Sequence, residues 1–208
     1  DLLPVTQEEF PQLRISFEGS NRAQQNTMKG VQQGSYISIM LIFSLLALQF
    51  RSYLQPLIVM SAIPFGIVGA VMGHYLLGFT LSIVSVLGMV ALSGIVVNDS
   101  LIMVDFINRF REEGHRLREA VLEAGVRRFR PILLTTLTTF FGLMPMMFET
   151  SRQARFLIPM AISLAFGVLF ATFITLVLVP VFYYLLNDFL VLFGQKKRDV
   201  LDKTATAD

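Results

Sequence analysis

Five apolar runs, at residues 33–50, 57–77, 79–107, 131–148 and 156–186, limit this chain to very few folds. At ~1.5 Å per helical residue each matches a hydrocarbon core of ~30 Å, and the third and fifth are long enough to tilt or to project beyond it. Lipid offers no hydrogen bonds to a backbone, so such runs span as helices or as strands of a closed barrel. Barrel strands alternate apolar and polar residues over about ten positions, whereas Leu57–Leu77 and Ile83–Val97 are apolar on nearly every face. The runs are also too numerous and too long for signal peptides. A hydrophobic content of 54%, a charged content of 15% and a mean hydropathy of +0.63 agree with this. The expected fold is an all-α membrane protein, a bundle of five transmembrane helices over 33–188.

Basic residues orient that bundle. Arg51, the seven arginines of 109–130 and four basic residues of the carboxy-terminal tail fall on one side, twelve of the seventeen in the chain. The positive-inside rule makes that side cytoplasmic and puts the amino end outside. The net charge of +2 and the pI of about 9.1 are then a topology signal, and no nucleic-acid partner is implied. The chain has no cysteine, which excludes disulfides and thiol chemistry. Residues 1–32 are largely polar, too few to bury a core, and are expected to be the end of a truncated extracytoplasmic domain. The chain is thus expected to be a fragment, with residues 189–208 a disordered, charged cytoplasmic tail.

Small residues mark where helices are expected to meet closely in lipid. Gly66, Gly69 and Gly73 contain a Gly-x-x-x-Gly pair, and Gly88, Ala91 and Ser93 thin the third run. Pro64 and Pro180 are expected to kink their helices, while Pro131 stands where the fourth run begins. Between the third and fourth runs, Phe110, Leu117, Val121 and Ala124 recur at helical spacing among charged residues. This predicts an amphipathic helix on the cytoplasmic surface over about 112–126, stopped at Gly125. Its arginines suit lipid headgroups, but Arg128 and Arg130 at the mouth of the fourth run could reach inward.

Asn98-Asp99-Ser100 interrupts the third run, and an acid at that depth is expensive enough to imply function. Asp99 is too short to reach the interface. Asn98 and Asp105 lie on nearly one face at ~100° per residue, with Asp99 rotated away from both, so Asp99 and Asp105 are no same-face carboxylate pair. Asp105 precedes Arg109 by four residues, the spacing of a helix-end ion pair. Asp99 could take up and release a proton as its surroundings alternate between wet and dry, or it could be a structural tie between helices. Intramembrane aspartyl proteolysis needs a second buried acid, and no other run has one in its interior. His74 and His115 have no nucleophile arranged beside them, so the chain is not expected to be an enzyme; no catalytic or metal site is expected.

Several ordered motifs carry a resemblance: Gly94-Ile-Val-Val-Asn-Asp-Ser-Leu-Ile-Met-Val-Asp-Phe106, Glu119-Ala120, Arg130-Pro-Ile-Leu-Leu-Thr-Thr136, Gly142-Leu-Met-Pro145 and Val179-Pro-Val-Phe182. Together they resemble the carboxy-terminal half of resistance-nodulation-division (RND) transporters, nearest in character to the hydrophobe/amphiphile multidrug efflux pumps. The resemblance runs from about Gly19 to Asp188 and covers the last five of twelve membrane helices. It implies proton-driven export from the bacterial inner membrane with no cofactor beyond the proton gradient. It also implies a homotrimer, a periplasmic adaptor, an outer-membrane channel and an amino-terminal half that completes the bundle.

By position, the resemblance places Asn98 where drug pumps usually carry a lysine, Arg128 on the family arginine and Thr135 on the family threonine of the proton-coupling network. Asn98 cannot supply the lysine's charge and Asp99 adds an acid, so Asp99 becomes the preferred titrating group. An Asn-Asp pair also resembles the protein-export relatives. A secretion auxiliary, or a structural membrane module that does not transport, is therefore the alternative to an exporter. The five runs alone are not expected to transport.

Overall fold

A computed structural model describes residues 19–192; the expected tail beyond them, and residues 1–18, lie outside the described part. Among the described residues seven helices succeed one another: α1 Gly19–Phe50, α2 Gln55–Met60, α3 Ile63–Leu77, α4 Ile83–Glu112, α5 Leu117–Met147, α6 Arg152–Arg155 and α7 Ile158–Leu192. No strand occurs among them, and the protein is all-α. The chain divides into two compact units, residues 1–36 and residues 37–208. The first contributes the opening turns of α1; the rest of α1 and every later helix belong to the second.

Four segments of the described chain are long and apolar enough to cross a membrane: Gln24–Phe50, Gln55–Leu77, Ile83–Glu112 and Ile158–Phe189. The second is interrupted at Ser61–Ala62, two residues before Pro64, so the expected kink is a break between α2 and α3, with Pro64 in the first turn of α3. Proline there loses no helical hydrogen bond.

The fourth apolar run departs from expectation. It is not a separate helix but the second half of α5, which also contains the segment predicted to lie apart on the surface. Gly125 is inside that helix with no positive φ; the stop belongs instead to Gly114, whose φ of 99° closes α4. Val121 and Ala124 are buried just before the predicted boundary, and this packing holds the helix together through the glycine. Pro131 consequently lies within α5 rather than at a helix start. Four threonines among residues 135–139 and the charged residues up to Arg130 dilute this helix, which is not one of those four segments.

α7 is the axis of the bundle and packs against α3, α4 and α5. One apolar cluster joins Val59, Met103, Ile107, Ala120, Val179 and Tyr183; the other joins Ala62, Ala70, Leu92, Val96, Val168 and Ala171. Between them the helices approach through glycine. A methyl group at Gly73 would stand 2.5 Å from Cβ of Phe166, and one at Gly88 2.9 Å from both the Met160 carbonyl and Cβ of Ser163. At Gly69 it would overlap Phe170 and at Gly66 it would press Leu92 and Val96 at 3.3 Å. Gly167 on α7 is the reciprocal site, where a methyl would collide with Leu92. The Gly88–Met160 contact with the Ser163–Ser85 and Tyr183–Asn108 bonds sets α4 and α7 parallel, while Gly69–Phe170 and Gly73–Phe166 set α3 antiparallel to α7.

Candidate proton-coupling site

The 30 residues of α4 place Asp99 within about two residues of the helix midpoint, nearer than the sequence boundaries implied. The helix has a buried face, with Leu92, Val96, Val97, Ser100, Met103 and Ile107, and an open one. Leu87, Ala91, Gly94 and Asn98 form that open stripe at helical spacing, and a methyl at Gly94 would meet nothing within 4 Å. Asn98 is exposed on the stripe and Asp99 is half-buried at its edge. Neither has a hydrogen-bond or ion-pair partner among the described residues.

Arg128 and Thr135, predicted to share a network with Asn98 and Asp99, are held elsewhere. Arg128 lies with its guanidinium carbon 5.2 Å from the Phe106 ring centroid, a cation–π contact, while its buried Nε has no hydrogen-bond partner. Phe106 is the first ring of a stack through Phe110 to His115. Thr135 is exposed and donates to the Pro131 carbonyl of its own helix at 2.9 Å. No hydrogen bond, ion pair or ring contact among the described residues joins these four side chains. Thr138 and Thr139 likewise bond back along α5. Thr136 instead turns inward, meeting Thr172 of α7 hydroxyl to hydroxyl at 2.6 Å. Asp105 and Arg109 do form a helix-end pair, at 3.0 Å.

Two polar clusters were not anticipated from the sequence. His74 is buried, with Nδ1 2.9 Å from the Ala70 carbonyl and Nε2 2.8 Å from Ser85 Oγ. A carbonyl only accepts, so Nδ1 carries the hydrogen and Ser85 donates to Nε2. Ser163 of α7 in turn donates to the Ser85 carbonyl at 3.0 Å. Ser82 and Ser85 also form a reciprocal cap at the start of α4, which the pairing of Ser82 with a residue three positions later could have signalled. At the other end, Gln55 and Asn108 exchange two amide hydrogen bonds of 3.1 and 3.0 Å, and the buried Tyr183 hydroxyl donates to Asn108 at 2.6 Å. Nothing in the sequence pairs residues so far apart.

Chemically, one side of the arrangement is complete and the other is not. On the buried face packing and hydrogen bonds close the helix contacts except at the Ser100 hydroxyl, which is buried without a hydrogen-bond partner among the described residues, whereas the mid-helix acid and amide stand on an uncovered face. Among the described residues no group of three or more His, Cys, Asp or Glu could hold a metal ion.

The AcrB/AcrD/AcrF family model matches residues 4–187. Among curated proteins, the chain is 36% identical over 149 residues to the cobalt-zinc-cadmium resistance protein CzcA of Cupriavidus metallidurans, covering 72% of this chain and 14% of that protein. It is 32% identical over 172 residues to the multidrug resistance protein MdtC of Proteus mirabilis, covering 82% of this chain and 17% of that one. A crystal structure of a heavy metal efflux pump superimposes with a TM-score of 0.72 at 29% identity, covering 82% of this chain and 16% of that chain. The chain thus spans about a sixth of the length of the relatives it matches. A match over nearly the whole chain, on an all-α bundle with an acid at mid-helix, makes this chain a member of the AcrB/AcrD/AcrF family of RND transporters.

Proposed function

We propose that this chain is the carboxy-terminal membrane half of a proton-driven exporter of drugs or other amphiphiles, in which Asp99 is the group that takes up and releases the proton. The observation that carries this reading is the placement of Asp99. It lies near the middle of α4, half-buried, without a hydrogen-bond or ion-pair partner among the described residues, and beside an open stripe that includes Ala91 and Gly94. A structural acid would be paired inside the fold; this one faces the side on which a further set of helices would pack. Asn98 and the exposed Thr135 stand on open faces too, and Arg128 retains an unused buried donor.

In this reading the network is completed by the amino-terminal half of the same transporter. Packing of that half would dry the site, and its movement would let water return, so that Asp99 loads and unloads its proton on opposite sides. In this reading α1 and α4 have their carboxy ends at the cytoplasmic face of the inner membrane, an orientation that the distribution of basic residues supports. A homotrimer, a periplasmic adaptor and an outer-membrane channel complete the assembly.

Export of metal cations is the second reading, favoured by the likeness to CzcA and to a heavy metal efflux pump. One experiment tests both. Cells making the complete transporter, wild type or Asp99→Asn at matched membrane abundance, are assayed for gradient-dependent dye efflux and for growth in zinc, cobalt and cadmium. Dye efflux that collapses in Asp99→Asn supports the amphiphile reading, and metal resistance that collapses supports the second. Unchanged transport in the variant removes Asp99 from coupling.

A further inference from the structure

A half-open cavity of about 780 Å³ lies where α1 ends, α2 begins and α4 ends. The amide pair of Gln55 and Asn108, anchored by Tyr183, lines it together with Asp105, Glu112 and three arginines. Arg109 is committed to Asp105 at 3.0 Å. Arg51 and Arg111 have no ion-pair partner among the described residues, and Glu112 is exposed.

Arg51 is also the only non-glycine residue of the described chain with a positive φ, 49°. It follows the last residue of α1, a position where chains ordinarily place glycine because a Cβ is strained there. A cation kept in that conformation, with its side chain on a cavity wall, argues that the side chain is used. Gln55 Nε2 and Asn108 Nδ2 each spend one hydrogen on the other, leaving a second N–H apiece. The cavity therefore presents two unpaired guanidinium forks and neutral amide donors, the chemistry that recognises phosphate.

We propose that this cavity binds an anionic phosphate group through Arg51 and Arg111. Its position at the ends of spanning helices is the depth of lipid headgroups, on whichever side of the membrane these ends lie, and its volume falls in the range of small-molecule sites, about 300–1,000 Å³. The phosphate can come from an anionic phospholipid or from free phosphate in solution.

The test uses the complete transporter, purified in detergent and examined by native mass spectrometry with phosphatidylglycerol, with phosphatidylcholine and with inorganic phosphate. Wild type should retain phosphatidylglycerol about tenfold better than phosphatidylcholine, and the Arg51→Gly/Arg111→Gln double variant should lose that preference. Arg152→Gln, outside the cavity, should keep it. Arginine-dependent binding of inorganic phosphate that displaces the lipid supports the same site with a soluble ligand. A double variant that binds like wild type, or a wild type that prefers neither phosphate source, overturns the proposal. Arg51→Gly alone should leave the lipid-free thermal midpoint unchanged or raised, since glycine suits this φ; a lowered midpoint would assign Arg51 to packing and overturn its role here.

Discussion

The face of α4 that meets α7 and the face that carries Asn98 follow opposite rules, though they belong to one helix. On the first, Gly88 lies against the Met160 backbone, Leu92 fills the space left by Gly167, and Ser85 is bonded to both His74 and Ser163. On the second, a methyl at Gly94 would touch nothing within 4 Å, and Asn98 and Asp99 have no partner among the described residues. Glycine and polar residues occur on both faces, so residue type alone does not separate structure from function. What separates them is whether the fold closes the contact, the buried Ser100 hydroxyl, unbonded among the described residues, being the exception on the first face.

The largest effect is expected on the closed face. Gly73→Leu forces a side chain into Phe166 and should destabilise the bundle by about 3 kcal/mol, while Gly94→Ala on the open face should be neutral or stabilising by up to ~1 kcal/mol. Thermal unfolding in detergent reads both; equal losses would erase the contrast between the faces. Asn108→Leu leaves the Gln55 amide and the Tyr183 hydroxyl without their partner and should cost about 2 kcal/mol in the same assay. Thr136→Val, which removes the hydroxyl contact to Thr172, should cost only ~0.6 kcal/mol, the scale of such bonds in lipid.

Smallest is a pH effect outside the spans. The Glu149 carboxylate accepts from the backbone N–H of Ser151 and of Thr150, which hold it below the usual carboxylate range. Its folded pKa is depressed, so its hold on the turn before α6 is full above the unfolded value and is lost as pH falls through the folded one. Carbon-13 NMR titration of Glu149 should give a pKa below that of an unperturbed glutamate. Ser151→Pro, compatible with the φ of −63° there, removes one donor and should raise it; an unchanged value would detach the shift from these bonds.

Membrane class and the main helices were legible because apolar runs of span length admit few folds. Legibility failed where tertiary packing overrides a local signal. Gly125 reads as a helix stop, yet buried Val121 and Ala124 carry α5 through it, and the left-handed turn falls at Gly114. Gly66, Gly69, Gly73 and Gly88 could be picked out as small residues; Gly167, their counterpart on α7, is the lone glycine of its apolar run and is signalled only by the weaker small-residue spacing Ser163, Gly167, Ala171. Asp99 was legible as an anomaly of depth. Thr135 and Thr136 are adjacent and alike, so their sequence could not say which one faces α7; the rotation of α5 turns Thr136 inward and leaves Thr135 exposed.

The role of Asp99 is tested most directly by proton flux in proteoliposomes of the complete transporter, wild type against Asp99→Asn, with substrate added under an imposed pH gradient. If Asp99 carries the proton, the variant assembles with an unchanged thermal midpoint and moves no protons on substrate addition. Wild-type proton flux in a stable Asp99→Asn protein, or loss of folding in place of loss of flux, would contradict that role.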